Sequence, residues 1–284
     1  MFKYASLTPD VIRIVKYKDT EAPLSGKYND EIKPGSYLCR ACGAVLFRSH
    51  HQFHSGCGWP SFDDEIKNAI KRHIDQDGRR TEIVCARCDA HLGHVFSGEK
   101  MTANNQRHCV NSLAIEFVSD EKVTKTDEVI IAGGCFWGVQ YLFEQLSGVL
   151  LTEVGYIDGT TDHPSYEQVC SHKTGHVEAV RVVFDVEKIS YENILKYFLE
   201  IHDPAQSNGQ GPDIGSQYLS RIYYFDDQQK IIAEKIIQEL RQKGVNVATK
   251  IKPVTFFWPA ENDHQHYYQK NKQAPYCHRY TKRF

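Results

Sequence analysis

Methionine is almost missing from this chain: Met1 and Met101 are the only two in 284 residues, a scarcity that fits a protein working among oxidants. No run approaches about 20 consecutive apolar residues, the length a membrane-spanning helix needs. The opening ten residues hold no apolar segment of signal-peptide length. Charge of one sign is missing too. Thirty-four Lys and Arg stand against thirty-six Asp and Glu, a formal net charge of −2, so no basic field gathers nucleic acid. We expect a cytoplasmic protein that binds neither membrane nor nucleic acid.

The length suits two ordinary domains rather than one. At 41% hydrophobic and 25% charged residues, each half can bury a core of its own. Nine cysteines are many for a reducing compartment, where they serve metal binding or catalysis rather than structural disulfides. A polar, charged stretch over 119–127 reads as a linker, which places one domain at 1–118 and another at 128–284. The first holds seven of the histidines and six of the cysteines. After a helix over Thr8–Lys18, with Thr8 as N-cap and Pro9 at its first position, its short runs Gly35–Cys39, Ala44–Phe47 and Leu113–Val118 read as strands. The first domain is therefore expected to be mainly β. In the second, a strand over Glu128–Ala132 leads to a helix from Phe136 to Leu146. A strand over Val177–Asp185, an amphipathic helix over Ser190–His202, a strand over Arg221–Phe225 and a helix from Gln228 to Lys243 follow. Interleaved strands and helices argue a layered α/β or α+β fold.

Cys39-x-x-Cys42 and Cys85-x-x-Cys88 are matched knuckles, each followed by a turn at Gly43-Ala44 or Asp89-Ala90. Two such pairs fill four tetrahedral positions and leave none for substrate, so the site is expected to be structural, with one zinc per chain. Sulfur ligation of this kind also suits iron. His50, His51 and His54 read as loop residues rather than ligands.

Cys57, in SGCGWPSF (55–62), and Cys109, in RHCVNS (107–112), remain in the first half. On a strand, Arg107 and Cys109 share a face, and the guanidinium favours the thiolate. His91 and His94 add imidazoles that exchange protons near neutral pH. In the second half Cys135 follows a strand and opens a helix in Gly133-Gly134-Cys135-Phe136-Trp137-Gly138, where the helix dipole favours a thiolate. Phe136 and Trp137 offer an apolar pocket for a thioether methyl group. Cys170 reads as a buried apolar thiol.

These motifs carry a resemblance. SGKYND (25–30), CRACGAVLF (39–47), SGCGWPSF, HLGHVF (91–96) and RHCVNS occur in the order seen in zinc-containing type B methionine sulfoxide reductases. That resemblance implies a zinc-bound β-sheet fold, Cys109 as nucleophile, Cys57 as resolving cysteine, His91, His94 and Arg107 on the polar side of the site, and Trp59 against the substrate methyl group. The chain departs from the pattern at Ser97-Gly98-Glu99, where an acidic Pro-Asp-Gly turn is usual, leaving Glu99 as the available acid. It departs again at His108, where Tyr or Phe is usual. From residue 127 onward, GGCFWG, Pro164-Ser-Tyr166, Thr174-Gly-His176-Val-Glu178, His202-Asp203-Pro204, Asp213-Ile-Gly-Ser-Gln-Tyr218 and Ala260-Glu261-x-x-His264-Gln265 resemble type A methionine sulfoxide reductases. This implies a ferredoxin-like two-layer α+β sandwich, Cys135 as nucleophile and Glu178 as acid. It also implies Tyr166, Asp213 and Tyr218 around the sulfoxide oxygen, and Cys277 as the resolving cysteine on a C-terminal tail. Ile214 stands where the family often has His.

Together the resemblances imply a bifunctional repair enzyme for free or protein-bound methionine sulfoxide. The R epimer falls to the first domain and the S epimer to the second. Reaction would pass through a cysteine sulfenic acid and an intramolecular disulfide recycled by thioredoxin, with no organic cofactor. Cys277, after a polar stretch near the chain end, is expected to be mobile and far from Cys135 in the reduced protein. A zinc scaffold or redox sensor is the rival reading, separated from an enzyme by dithiol-dependent turnover of a sulfoxide.

Overall fold

The computed structural model describes residues 7–29, 32–75 and 78–284. Asp30, which ends the SGKYND motif, and residues 1–6 of the expected first domain lie outside the described residues. The described chain divides into two compact units, Leu7–Thr126 and Asp127–Phe284.

The first unit opens with α1 (Pro9–Val15), which has Thr8 as N-cap and Pro at its start. The helix stops short of the expected Lys18, which adopts a left-handed φ of 60°. Nine strands follow: β1 (Ser36–Cys39), β2 (Val45–Arg48), β3 (Gln52–Phe53), β4 (Ser61–Phe62), β5 (Ile70–Ile74), β6 (Thr81–Cys85), β7 (His91–Ser97), β8 (Gln106–Val110) and β9 (Ile115–Val118). They form a three-stranded sheet, β2-β1-β9, and a six-stranded sheet, β3-β4-β8-β7-β6-β5. Phe47 of β2 stacks on Phe62 of β4 with ring centroids 4.3 Å apart. Both rings are fully buried, and burial of such a side chain stabilises by about 1.5–3 kcal/mol.

The polar stretch expected as a linker is pinned rather than free. Val123 is buried and its carbonyl accepts from Arg48 at 2.6 Å. The Thr126 hydroxyl donates to the Gly43 carbonyl at 2.6 Å. Strand β10 (Thr126–Ala132) starts there, before the expected residue 128.

The second unit adds α2 (Phe136–Glu144), β11 (Val149–Ile157), α3 (Tyr166–Cys170), β12 (Val177–Asp185), α4 (Tyr191–Ile201), β13 (Gly209–Gln210) and β14 (Asp213–Ile214). It continues through β15 (Arg221–Tyr224), α5 (Asp227–Gln242), β16 (Lys250–Pro253), β17 (Phe257–Pro259) and α6 (Tyr267–Asn271). Six strands form one sheet in the order β16-β15-β10-β12-β11-β17. The main core joins the sheet residues Val129, Ile131, Val180 and Val182 to Val139, Phe198 and Ile236 of α2, α4 and α5. The fold is thus a helix layer on a sheet. Ser190 caps α4 by accepting from the Asn193 amide at 3.2 Å, and Asp226 caps α5 through Gln229 at 2.8 Å. Both caps satisfy orphan donors of the first turn. Every residue of β12 is buried, so Glu178, on that strand, sits in the interior.

Candidate functional site

The two knuckles of the first unit share one geometry. The Gly43 amide donates to the Cys39 carbonyl at 2.8 Å and the Asp89 amide to the Cys85 carbonyl at 2.9 Å. Gly43 and Asp89 both take left-handed φ values, 68° and 60°. Cys39 ends β1 and Cys85 ends β6, so the two sheets meet at the cluster. Its four Sγ atoms are buried and lie within 4.8 Å of one another. Cys39 to Cys88 and Cys42 to Cys85 are each 3.7 Å. A tetrahedral ion with metal–sulfur bonds of about 2.3 Å would set its ligands about 3.8 Å apart. The four cysteines can therefore hold a metal ion. Among the described residues no other such cluster occurs, and His50 and His51 belong to none.

Strand register assembles the first sulfur site. In the β7–β8 pairing His94 lies opposite Cys109 and Phe96 opposite Arg107. In the β4–β8 pairing Ser61 lies opposite Cys109. Cys57, in the turn before β4, comes to 3.6 Å from Cys109. Trp59, His94, Phe96 and Cys109 line a cavity of about 140 Å³, and the Trp59 indole N–H donates to the Glu21 carbonyl at 3.1 Å, which fixes the ring. His94 Nε2 is 3.0 Å from Asp75. His91 is buried deeper, with Nδ1 2.7 Å from Glu82, and burial pushes its pKa down. Arg107 makes a two-pronged pair with Glu99, both contacts 2.8 Å, so Glu99 is the acid that partners the guanidinium. His108 points into the opposite, buried side, where Nδ1 donates to the Phe62 carbonyl at 3.0 Å and Nε2 is 2.7 Å from Glu65.

The contact between the two sulfurs shifts their pKa values in opposite directions. The hydrogen bond from Cys109, joined by Ser55 and Ser61, pulls Cys57 down to about 4. The same contact, with burial, pushes Cys109 well up, and Arg107 opposes this without overcoming it. Arg107 does touch Cys109, as the shared strand face predicts, but Glu99 occupies much of its charge. The contact thus draws the two thiols apart, Cys57 downward and Cys109 upward.

The second sulfur site gathers around Cys135, which caps α2. The Trp137 and Gly138 amides point at its sulfur and favour the thiolate, as the helix start predicts. Contact with Cys277 and burial outweigh them and push the pKa up. Glu178 is fully buried, and the Phe136 amide donates to it at 2.9 Å. Desolvation, with the nearby Cys135 and Asp213, raises its pKa well above the carboxylate range, which favours the protonated carboxyl. Tyr166 and Tyr218 face Glu178, and burial pushes up both hydroxyls. Asp213 accepts a 3.4 Å hydrogen bond from Tyr276 on one oxygen. Trp137 stacks between Tyr166, at 6.1 Å, and Tyr267, at 3.9 Å. Phe136 is almost wholly buried and packs on Tyr156 at 5.7 Å.

Three features differ from the sequence reading. Cys277 is not mobile and distant: it is buried beside Cys135, with every cysteine a free thiol. Side chains far back in the sequence hold it there. Glu200 of α4 accepts from the Arg283 and Phe284 amides at 2.8 and 3.1 Å and from the Tyr280 hydroxyl at 3.1 Å. Cys170 is half-buried rather than in the core and is hydrogen-bonded to Tyr166. Glu261 had a motif but no assigned role. Its carboxylate accepts from the Tyr156 hydroxyl and the Tyr166 amide, each at 2.9 Å, and so sets the tyrosine beside the pocket.

A family model described as peptide methionine sulfoxide reductase matches residues 127–284, and one described as the SelR domain matches residues 7–119. A peptide methionine sulfoxide reductase MsrA of Nautilia profundicola is 46% identical over 150 residues, covering 53% of this chain and 87% of the relative. That of Pasteurella multocida is 47% identical over 153 residues, covering 54% and 88%. Among solved structures, Mxr1 of Saccharomyces cerevisiae in reduced form matches with TM-score 0.51 at 33% identity, covering 54% of this chain and 90% of that one.

Proposed function

The chain belongs to the peptide methionine sulfoxide reductase family, with a SelR domain ahead of the family's own domain, and from that premise we propose that its two sulfur sites divide the epimers of methionine sulfoxide between them. A sulfoxide sulfur is chiral and each epimer needs its own enzyme. The S epimer goes to the Cys135 site and the R epimer to the Cys109 site. One observation carries the reading. Each unit holds two free cysteines in contact, with a proton donor and an aromatic wall beside the inner sulfur.

At the second site Cys135 attacks the sulfoxide sulfur, and the Trp137 and Gly138 amides hold the developing thiolate. Glu178 gives its proton to the sulfoxide oxygen, steadied by Tyr166 and Tyr218. Methionine departs and Cys135 is left as sulfenic acid. Cys277 condenses with it, a sulfur–sulfur bond replaces the sulfur–oxygen bond, and water leaves. At the first site the shared proton passes to Cys57 as Cys109 attacks, His94 protonates the oxygen, and Cys57 then closes the disulfide. Arg107, held by Glu99, keeps positive charge beside Cys109. An external dithiol of the thioredoxin type returns each pair to thiols. Substrates are free methionine sulfoxide or the oxidised residue in proteins.

Zinc fits the four-cysteine cluster, one ion per chain, because the sulfur spacing matches and all four positions are filled by protein. It would hold the first unit's sheets together and supply no chemistry to the sulfur sites.

The test uses resolved sulfoxides with a dithiol reductant. Cys135→Ser is expected to abolish S reduction and spare R, and Cys109→Ser to do the reverse. Loss of both activities in either variant, with the fold intact, would refute the division. Absence of dithiol-dependent turnover of either epimer would favour a redox sensor.

A further inference from the structure

Beyond the roles above, the tail presents an imidazole to one of the reacting sulfurs. His278 Nε2 is 2.7 Å from the Gly133 carbonyl. A carbonyl only accepts, so Nε2 carries the hydrogen. In the neutral ring Nδ1 is then a bare acceptor, and it lies 3.2 Å from Cys277 Sγ. The ring is seated by a missing side chain: a Cβ on Gly138 would collide with it. Gly138 of GGCFWG thus has a use of its own, which is to admit His278 against the helix start. Burial lowers the pKa of this imidazole, which keeps Nδ1 free near neutral pH.

We propose that His278 is the general base of the disulfide-forming step, with Nδ1 taking the Cys277 thiol proton as its sulfur attacks the Cys135 sulfenic acid. The proposal rests on the reading of Cys135 and Cys277 given above. The step balances. The sulfur–hydrogen bond of Cys277 breaks, its electron pair forms the bond to Cys135 Sγ, and the sulfur–oxygen bond of the sulfenic acid breaks. The departing hydroxide takes up the proton and leaves as water. The oxidant is the sulfoxide already reduced in the first step. Gly133 selects the tautomer, just as a positioned acceptor does for other catalytic histidines.

Glutamine separates base from anchor, since its amide N–H can still donate to Gly133 but offers no ring nitrogen to Cys277. The full chain carrying His278→Gln is mixed with methionine S-sulfoxide and no external reductant, then quenched. Methionine and the Cys135–Cys277 disulfide are followed separately, the latter by mass after alkylation. One methionine per Cys135 is expected at the wild-type rate, while disulfide formation at pH 7 slows by about 100-fold, the scale of a lost general base. The titratable groups facing His278 are Asp213, His202 and the two thiols. As pH rises, hydroxide can take the thiol proton in place of the imidazole, so the deficit should shrink. A disulfide rate equal to wild type overturns the proposal. So does a deficit that is the same at every pH, because the imidazole would then only hold the tail. Absence of the methionine burst in the wild-type chain would overturn the reading of the site itself, and this proposal with it.

Discussion

In the first unit the two reacting sulfurs stand on one sheet: Cys109 lies on β8 and Cys57 in the turn that leads into β4, which pairs with β8. In the second, Cys135 starts a helix and Cys277 rides on a tail that lies outside any sheet and is clamped chiefly by the Glu200 side chain. Main-chain register sets the first sulfur pair's separation, and a side-chain clamp sets the second's. The first pair is half-buried, the second buried. Their protons differ as well. In the first pair the outer thiol is pulled down and the inner pushed up, whereas in the second Cys135 is pushed up beside a buried acid. The comparison teaches that two contacting sulfurs can be brought together by sheet pairing or by a docked tail.

The largest expected effect separates the frames. Removing zinc by chelation, or replacing Cys42 by Ser, should unfold residues 7–126 and abolish R reduction, leaving S reduction intact. Structural zinc contributes on the order of 10 kcal/mol or more to such folds, comparable to the whole stability of a domain. Metal analysis, circular dichroism and the two epimer assays check this. Full R activity in metal-free protein would break the comparison.

Next comes the tail. Cys277→Ser should still yield one methionine per site in a single turnover and then stall with thioredoxin as sole reductant, because the sulfur chemistry is complete before Cys277 acts. Undiminished steady-state S reduction would direct attention to Cys170, which touches Tyr166.

Glu178→Gln sharpens the protonation difference. S reduction should fall about 10²–10⁴-fold, with R reduction unchanged. Stability should respond oppositely. The folded state holds the Glu178 proton more tightly than the unfolded chain does, so its contribution is present below about pH 4.3, the unfolded value, and is lost as pH rises through the raised folded value. Glutamine removes that dependence, so urea midpoints at pH 8 should stay level or rise while activity collapses. A midpoint that falls at pH 8 would mean the carboxyl is there for the fold.

Short motifs carried most of the chemistry in the sequence, since nucleophile, knuckle and acid each depend on neighbours within a few residues. Strand Val177–Asp185 was legible in full because charge and turns bracket an apolar run. What hid were contacts across long separations. The downward shift of Cys57 depends on a sulfur 52 residues away. Helix α1 ended early because Lys18 turns left-handed and reaches Glu82, 64 residues on, at 2.8 Å. No local pattern announces either. The docked tail is the largest case: the polar stretch before Cys277 reads as loose by composition, yet its clamp sits on α4, 80 residues earlier.

That clamp supplies the smallest and most selective test. Glu200 gathers the Arg283 and Phe284 amides and the Tyr280 hydroxyl, and Thr281 adds an amide bond to its carbonyl at 2.7 Å. Glu200→Ala removes the three carboxylate contacts and leaves the carbonyl. The released amides face solvent and can bond water, so the loss is near the low end for a charged acceptor, about 1.5 kcal/mol. That is a little over tenfold in the undocked fraction of the tail. A buried thiol reacts only while exposed, so alkylation of Cys277 in the reduced protein should quicken by about that factor. Cys57, placed by strand pairing, should react at its wild-type rate. S reduction should change far less than alkylation, because His278 and the glycine seat still favour the docked state. If both cysteines quicken together, Glu200 supports the fold at large. If neither does, the tail is held by its own packing, and the distinction between a framed and a clamped sulfur pair fails.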